Sequence, residues 1–401
     1  MGAALGSERS QMSKTRHMTS VGIMSMQRIY NYGSSLQAYG LRRLIEQHVE
    51  DVQVSFVDYV PGEALIKDAA SFEPTSRLRR SLAKVAEYNQ VDASLRDRLR
   101  FFNHKRTYGK KYFRLMGIPA EPARDLALDV QVIGSDEVFN CVQSNTNVGY
   151  SRDLFGHGSS ARRLVSYAAS FGNTTLDKLS EFGVRDEVAA DLSRFDALSV
   201  RDQNSAAIVK ALTGRTPTIN VDPALAYDFM AQETRIPTGR PHPEPYLLVY
   251  GYSGRLGKEE NSALRSYARA LGARILCAGG VQDCCDEFVD CSPFELLAYF
   301  RHAEGIVTDT FHGTIFSLIN ERPFATIVRR SSGLGYGNEE KLGYLLETFG
   351  LQDRRVDDTA SLVSALAEPV DYRPVATVLA HERARTANYL SSTIAQKVAD
   401  R

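Results

Sequence analysis

The chain has 401 residues, more than one ordinary hydrophobic core needs, so two domains are expected. It carries 48 Lys and Arg residues against 48 Asp and Glu residues, and this balance excludes a general electrostatic attraction to nucleic acid or to an anionic membrane. The five cysteines are an odd number in a long chain, which argues against a disulfide framework and favours reduced thiols in a cytoplasmic protein.

The first half of the chain opens with a pattern typical of a parallel sheet. Residues 1–19 are polar, lack the apolar core of a signal peptide and are predicted to form a disordered tail. An apolar strand over 21–24 leads through a polar loop, 27–35, into a helix with Ser34 or Ser35 as its N-cap. A second strand follows at 52–59, and strand, loop, helix and strand in this order indicate a βαβ unit.

The rest of the first half continues to alternate between helical and strand patterns. Residues 62–115 are predicted to be helical and are rich in Arg and Lys. The further elements predicted here are strands at 130–134, 164–169, 197–200 and 218–221 and a helix at 203–212. We therefore assign residues 20–235 to an N-terminal α/β domain.

A Pro-dense segment, 236–245, is the predicted linker to a second α/β domain at 246–372. The elements predicted in this domain are strands at 246–250, 274–277 and 305–308 and helices at about 259–271, 293–302 and 314–320. A last helix over 375–398, within the segment 373–401, is a candidate for packing back across the first domain. The predicted fold is thus α/β, with two Rossmann-like domains that face each other across a cleft.

Ligands of open parallel sheets bind beyond the carboxyl ends of the strands, so the residues that follow each strand are the candidate site. Residues 31–35, Asn-Tyr-Gly-Ser-Ser, open a helix, and they either bind an anion through backbone N–H groups or form a plain turn with an N-cap. Ser135 and Asp136 follow the strand at 130–134. They either contact a substrate or cap the next helix.

Arg201 directly follows the strand at 197–200 and is expected to point into the cleft. The planar guanidinium group donates two parallel hydrogen bonds, so it is a natural ligand for a carboxylate or a phosphate. The alternative is a local ion pair with Asp202 or Asp196.

The segment 305–320 holds the strongest candidate. A buried strand is predicted to end at Asp309, His312 to lie in the turn, and an apolar helix to begin at Gly313 and Thr314. A His beside a helix N-terminus can transfer a proton or bind a phosphate, although an isolated His is more often structural. Downstream, the glycine-rich residues 333–337 are typical of a loop that closes over a ligand.

Six blocks, taken in chain order, resemble the polysaccharide pyruvyl transferase family. They are NYGSSLQAYGL (31–41), VIGSDEVFN (132–140), SYAASFG (166–172), LSVRDQNSA (198–206), VDPAL (221–225) and TDTFHGTIFSLINERPF (308–324). The resemblance implies a fold similar to that of two-domain GT-B glycosyltransferases. It also implies a cytoplasmic transferase of polysaccharide or exopolysaccharide biosynthesis that moves a pyruvyl group from phosphoenolpyruvate to a sugar and forms a ketal.

The resemblance assigns roles to residues of both halves. His312 matches the essential histidine of the family and Arg201 its donor-binding arginine, and Asp136 is a candidate base for the sugar hydroxyl. Together with Arg201, the candidate donor-binding residues are Asn31, Gly33, Ser34, Thr310, Gly313, Thr314, Arg330 and Lys341. The candidate acceptor-binding residues, on the side of the N-terminal domain, are Tyr32, Ser135 and Tyr252. No metal and no cofactor are expected, since phosphoenolpyruvate is the donor substrate.

The chain departs from the family at one position. Thr310 stands where many members of the family have an arginine, and Arg329, Arg330 or Lys341 are the candidate replacements. Two other functions stay open: a GT-B-like glycosyltransferase that uses a nucleotide sugar, and a non-catalytic protein of glycan assembly. The expected partners are a small-molecule donor and a saccharide acceptor, without nucleic acid and with at most peripheral membrane contact. A homo-oligomer is also compatible with the sequence.

Overall fold

Two six-stranded parallel sheets form the framework of the protein, in a computed structural model that describes residues 18–66, 91–329 and 339–395. The first sheet has the order β2-β1-β3-β4-β5-β6. Its strands are β1 (Thr19–Met24), β2 (Val52–Phe56), β3 (Val130–Asp136), β4 (Arg163–Ala169), β5 (Ser199–Val200) and β6 (Thr218–Ile219). All of its pairings are parallel, as between Val21 and Val130.

The second sheet is built from the residues that follow the Pro-dense segment and has the order β12-β11-β10-β7-β8-β9. Its strands are β7 (Tyr246–Tyr250), β8 (Arg274–Ala278), β9 (Glu287–Phe288), β10 (Gly305–Thr308), β11 (Phe324–Ile327) and β12 (Arg355–Val356). These pairings are also parallel. The predicted α/β class with two parallel sheets is therefore confirmed, and the carboxyl ends of the central strands form one edge of each sheet.

Helices connect and cover the strands of both sheets. Those of the first half are α1 (Tyr32–His48), α2 (Leu95–Tyr112), α3 (Leu176–Glu181), α4 (Arg185–Ser193), α5 (Gln203–Thr213), α6 (Pro223–Ala226) and α7 (Phe229–Gln232). Those of the second half are α8 (Lys258–Leu271), α9 (Pro293–His302), α10 (Phe311–Ile319), α11 (Glu339–Thr348), α12 (Thr359–Ala367) and α13 (Tyr372–Ile394). None of the helices in the described ranges has the length and apolar character that crossing a membrane requires.

Two helix starts lie earlier than predicted, because residues upstream of the predicted start act as caps. The N-cap of α1 is Asn31, whose Oδ1 accepts a hydrogen bond from the Ser34 amide at 2.7 Å, so neither Ser34 nor Ser35 is the cap. Thr310 caps α10 in the same way, since its Oγ1 accepts from the Gly313 amide at 3.0 Å. His312 therefore lies in the first turn of a helix and not in the turn before it.

Strand limits also differ from the prediction in the first sheet. β3 continues to Asp136, so Ser135 and Asp136 belong to the strand rather than to the loop after it. β2 ends at Phe56, three residues before the predicted end. Thr19, predicted to belong to the tail, already starts β1, and residues 1–17 of that tail lie outside the described residues.

The helix α2 comes from the first half of the chain but packs against β9, the edge strand of the second sheet. Its Asp97 accepts a hydrogen bond from the Phe288 amide at 2.9 Å, and Arg100 pairs with Glu287 at 3.1 Å. Only 95–112 of the helical segment predicted at 62–115 is α-helical among the described residues, and 67–90 lie outside them. This helix brings residues of the first half to the second sheet.

The helix α13 makes the opposite connection, from the end of the chain to the first half. The Tyr389 hydroxyl donates to the Ser166 carbonyl at 2.8 Å, and Arg383 pairs with Asp228 at 2.7 Å. Contacts therefore cross between the halves at two separate places. The predicted domain limits, 20–235, 246–372 and 373–401, stay a prediction.

Candidate active site

A cleft lies between the carboxyl edges of the two sheets, and residues of both halves line it. Its empty volume, counting the open mouth, is about 1050 Å³. From the first half, the start of α1, the end of β3 and the residue after β5 contribute to it; from the second half, the loops after β7 and β8 and the start of α10 do so. The strand-end rule thus predicted where the cleft lies.

The N-termini of α1 and α10 meet across this cleft. Gly33, in the first turn of α1, packs against the ring of His312, so closely that an added Cβ would lie 2.3 Å from Nδ1. Neither helix has an acidic residue in its first turn. Two helix dipoles therefore present their positive ends to the same space, which favours an anionic ligand.

Arg201, Asp222 and His312 converge between these two helix starts. Asp222 Oδ2 lies 2.9 Å from Arg201 Nη1 and 3.6 Å from His312 Nε2. The guanidinium group stacks on Phe311, with its carbon 4.4 Å from the ring centroid. Both Arg201 Nε and His312 Nε2 are buried and have no hydrogen-bond partner among the described residues. Buried polar atoms are nearly always paired in native proteins, so these two atoms mark a place where a ligand can complete the set.

The electrostatics of this group couple its members. Burial raises the pKa of Asp222, but the charges of His312 and Arg201 outweigh burial, and the net result is a lowered pKa. For Arg201, burial lowers the pKa, and the surrounding carboxylates of Asp136, Asp222 and Glu137 outweigh it. The arginine and its carboxylate thus hold each other in the charged state.

Asp136 and Glu137 form the neighbouring part of the wall. Asp136 Oδ2 accepts from the Ser34 hydroxyl at 2.8 Å, and its Oδ1 accepts from the Glu137 amide at 3.0 Å and lies 3.5 Å from Arg201 Nη2. Glu137 bridges to Lys341 of α11 at 2.8 Å. Burial raises the pKa of Glu137, but Lys341 and Arg201 outweigh it and bring that pKa to about 2.

The opposite wall of the cleft comes from α2 and is rich in aromatic rings. His104 lines the cleft and lies 5.3 to 6.1 Å, between ring centroids, from the rings of four neighbours, which are Tyr32, Tyr108, Tyr112 and Phe288. Its Nδ1 lies 2.7 Å from Oδ1 of Asp290, a residue of the second half. Lys105 also lines this wall, and its Nζ donates to the Tyr30 carbonyl at 2.7 Å.

Most of the sequence-predicted residues line the cleft. They are Asn31, Tyr32, Ser34, Asp136, Arg201, Tyr252, Thr310, His312 and Lys341. Tyr32 lines it with its ring, since its hydroxyl is committed to the Cys291 carbonyl at 2.8 Å. Tyr252 is half exposed, with 47% of its surface accessible. The predicted ion pairs of Arg201 with Asp202 or Asp196 are wrong, because its partners are Asp222 and Asp136.

Four predicted residues lie behind the wall of the cleft rather than in it. The Ser135 hydroxyl is fully buried and donates to Gln37 at 2.5 Å. Thr314 bonds to the Thr310 carbonyl at 3.1 Å, while Gly33 and Gly313 only give space to the side chains packed on them. Each is placed by the packing of its helix or strand and so has a structural position. Arg330 and the glycine-rich segment 333–337 lie outside the described residues.

Sequence reasoning missed three residues of the site. Asp222 was visible as the end of a strand in the VDPAL block, but an Asp followed by Pro looks like a helix cap, and it does cap α6. Glu137 follows the residue that was selected, with nothing to distinguish it. His104 had no signal at all, since it belongs to a charged helix that resembles solvated surface. Among the described residues, no group of three or more His, Cys, Asp or Glu side chains is arranged to hold a metal ion.

Known proteins similar to this chain fit the same architecture. A UDP-GlcNAc 2-epimerase described from Listeria monocytogenes is 11% identical, with 94% of this chain and 96% of that chain covered and a TM-score of 0.51. The corresponding enzyme of Neisseria meningitidis is 8% identical over 94% and 99%, with a TM-score of 0.49. A mutant O-GlcNAc transferase of Thermobaculum terrenum is 16% identical over 94% of this chain, with a TM-score of 0.39, and this chain spans 65% of its length. At these identities the likeness concerns the fold alone, and the fold is that of GT-B glycosyltransferases and epimerases.

Sequence comparison identifies the family directly. No curated protein sequence gives a significant match to the chain. A family model described as polysaccharide pyruvyl transferase matches residues 31–331, which include the N-cap of α1, Arg201, Asp222 and His312. Because this match covers most of the 401 residues, the chain belongs to the polysaccharide pyruvyl transferase family.

Proposed function

We propose that the protein transfers a pyruvyl group from phosphoenolpyruvate to a sugar of a surface polysaccharide or its precursor and forms a pyruvate ketal. Membership of the family supports a transferase of polysaccharide biosynthesis. The observation that carries the donor assignment is the convergence of Arg201, Asp222 and His312 where the N-termini of α1 and α10 meet. Such a site suits a small, multiply charged anion.

Phosphoenolpyruvate carries a phosphate and a carboxylate on neighbouring atoms, and the cleft offers groups for both. The positive ends of two helices and the amides of their first turns suit the phosphate. Arg201 suits the carboxylate, since its Nε has no partner among the described residues and its plane is fixed by Phe311. In this proposal Lys341 adds a cation at the rim and takes the place of the family arginine missing at Thr310.

The reaction needs one proton on carbon and the removal of two hydroxyl protons. The methylene carbon takes a proton, which makes the adjacent carbon electrophilic, and the first sugar hydroxyl attacks that carbon. The bond to the phosphate oxygen then breaks, the electron pair leaves with phosphate, and a second hydroxyl closes the ring. Of the two hydroxyl protons, one balances the proton gained by the methyl group and the other leaves with phosphate.

We assign the proton donor to His312, with Asp222 as its partner at 3.6 Å. Asp136 holds Arg201 and Ser34 in place in this proposal and does not act as the base, because both of its oxygens already accept hydrogen bonds. Preorganised charge around the electrophilic carbon supplies much of the rate acceleration in such sites.

The first test is a thermal-shift measurement of the purified protein with phosphoenolpyruvate, pyruvate, inorganic phosphate and UDP-N-acetylglucosamine. A ligand at about 100 times its dissociation constant adds about 2.7 kcal/mol to the free energy of unfolding, which raises the melting temperature visibly. We expect a shift with phosphoenolpyruvate that Arg201→Lys removes, because an ammonium group cannot replace a bidentate fork. Arg240→Lys, at a half-exposed pair with Glu304, is the matched control that keeps the shift.

The second test measures phosphate release from phosphoenolpyruvate with a panel of sugars that carry free vicinal or 4,6-hydroxyl pairs. His312→Ala is expected to lose transfer by roughly 10²- to 10⁴-fold. His302→Ala, a substitution of an exposed histidine of α9, is expected to transfer normally. A shift with the nucleotide sugar alone would replace this proposal with a glycosyltransferase, and full transfer by His312→Ala would remove His312 from the chemistry.

A further inference from the structure

The proposed reaction lacks a base for the acceptor hydroxyl, and the α2 wall of the cleft holds a side chain suited to that task. His104 is 2% exposed, and the cleft is where its ring meets open space. Its Nδ1 lies 2.7 Å from Asp290 Oδ1, so one ring nitrogen is bonded to a carboxylate. The pair joins the two halves of the chain, since His104 belongs to α2 and Asp290 follows β9.

Asp290 is held as a carboxylate by its other neighbours. Its Oδ2 accepts from Lys111 Nζ at 2.9 Å, and its Oδ1 also accepts from the Tyr112 hydroxyl at 3.3 Å. Burial raises the pKa of Asp290, but the hydrogen bonds from Lys111 and His104 outweigh it and lower that pKa. A charged carboxylate can only accept, so Nδ1 of His104 carries the proton and donates it.

The second ring nitrogen of His104 is then a base. Nε2 has no hydrogen-bond partner among the described residues, and it is not one of the buried polar atoms that are sealed from solvent. With the proton on Nδ1, the Nε2 lone pair is free to accept a hydrogen bond from a group in the cleft. A carboxylate, a histidine and a hydroxyl group in this order form the arrangement that activates nucleophiles in many enzymes.

The surroundings of His104 favour the neutral ring. Burial among aromatic side chains lowers the pKa of His104, and this effect exceeds the opposing effect of Asp290. The charged or titratable groups that face it are Tyr32 of α1, Lys105, Tyr108, Lys111 and Tyr112 of α2, and Asp290 of the second half. An unprotonated imidazole can accept a proton at neutral pH.

We propose that His104 Nε2 is the base that takes the proton from the acceptor hydroxyl, and that Asp290 is the positioning residue that sets its tautomer. This inference rests on the proposed function. As the hydroxyl oxygen forms its bond to the electrophilic carbon, its O–H bond breaks and the proton goes to Nε2. The proton then leaves with the phosphate, so His104 returns to its neutral form in each cycle. A sugar hydroxyl bound here lies against the aromatic rings of the α2 wall, which suits the apolar face of a pyranose ring.

The experiment compares two conservative variants with a matched control. His104→Asn keeps a donor for Asp290 but has no basic nitrogen, and Asp290→Asn keeps the shape but removes the charge that sets the tautomer. Arg100→Ala is the control, since it breaks another contact of α2 with the second half, the pair with Glu287 at 3.1 Å, and leaves the histidine alone. We expect kcat to fall roughly 10²- to 10⁴-fold in His104→Asn.

The pH profile separates a base from a structural residue. Wild-type kcat should fall on the acid side as Nε2 takes up a proton, and His104→Asn should lose that limb while its thermal shift with phosphoenolpyruvate is unchanged. In ¹⁵N NMR spectra of the free protein, His104 should carry its proton on Nδ1, and Asp290→Asn should move it to Nε2. Arg100→Ala should keep both signatures.

The outcomes are distinguishable from failure of the proposed function. If the wild type transfers pyruvyl groups and His104→Asn does so equally well, the base assignment alone is overturned. A wild-type spectrum with the proton on Nε2 overturns it as well, without any activity assay. If the wild type transfers nothing from phosphoenolpyruvate, the proposed function fails, and the base falls with it.

Discussion

The two walls of the cleft are held in different ways. The strand-end wall, formed by Arg201, Asp222 and His312, follows the carboxyl ends of strands and is tied together by buried charges. The helix wall, formed by His104 and its aromatic neighbours on α2, is tied together by ring packing and by partly exposed ion pairs. A buried charge that loses its partner is costly, whereas an exposed pair contributes little. The strand-end wall should therefore be brittle and the helix wall tolerant.

The largest effect is expected for Asp222→Asn in the strand-end wall. The change leaves the buried Arg201 with only the longer pair to Asp136, so the free energy of unfolding should fall by about 3–5 kcal/mol. Urea denaturation measures it, and Asp228→Asn, at the partly exposed pair with Arg383, should cost at most about 1 kcal/mol. A loss below that of the control would show that the buried charges are not coupled.

The same variant makes a prediction about pH. Because the pKa of Asp222 is lowered in the folded protein, its stabilisation is complete above its ordinary pKa of about 3.9 and is lost as the pH falls through the lowered value. The difference in stability between the wild type and Asp222→Asn should therefore be constant near neutral pH and shrink below about pH 4. A difference that grew on acidification would have the wrong sign.

A smaller effect is expected where the two helix starts touch. In Gly33→Ala the new Cβ would meet His312 Nδ1 at 2.3 Å, so the imidazole ring has to move. Misplacing a reacting group by about 1 Å can cost about 10²-fold in rate, and kcat for transfer should fall by that order. Gly343→Ala in α11 is the control, because nothing lies within 4 Å of the added atom. Equal rates in both variants would remove His312 from the chemistry.

Lys341→Met should weaken the rim of the strand-end wall. Lys341 helps to hold the pKa of Glu137 at about 2, and the variant should lose about 1–2 kcal/mol at neutral pH. Since a lowered carboxyl pKa stabilises above its ordinary value, the loss should disappear as the pH falls from about 4.5 toward 2. Lys178→Met, at a lysine that bonds only a backbone carbonyl, is the control and should show no such pH dependence.

The smallest effect is expected in the helix wall, for Arg100→Ala. Its pair with Glu287 is about 40% exposed on the arginine side, so the free energy of unfolding should change by less than about 1 kcal/mol. Chemical denaturation at low and high salt measures it. A loss as large as that of Asp222→Asn would abolish the contrast between the two walls.

The same contrast explains how much of the site could be predicted from sequence. The strand-end wall was predictable because a parallel sheet brings the residues after its strands to one edge, and this rule selected Arg201 and the segment that holds His312. The helix wall was not predictable because its contacts depend on which helix crosses to the other sheet. His104 and Asp290 are 186 positions apart, and no local pattern connects them.

Local details failed for a different reason. Asn31, Ser34 and Ser35 are all good N-caps, and the choice among them depends on where the strand before the helix ends and how α1 packs. Asp222 caps a short helix, which is an ordinary use for an Asp, and only the tertiary fold adds Arg201 and His312 to it. Residues with two tasks are read from sequence as having the simpler one.

The exchange of helices between the halves has a consequence for the covalent chain. α2 covers β9 of the second sheet, and α13 packs on the first half, so each half carries an element that completes the other. Cutting the backbone within 236–245 would release two fragments that each expose an unmatched helix. Those fragments should find each other again without a peptide link, and a split version of the protein, expressed as two pieces, should reassemble a working cleft.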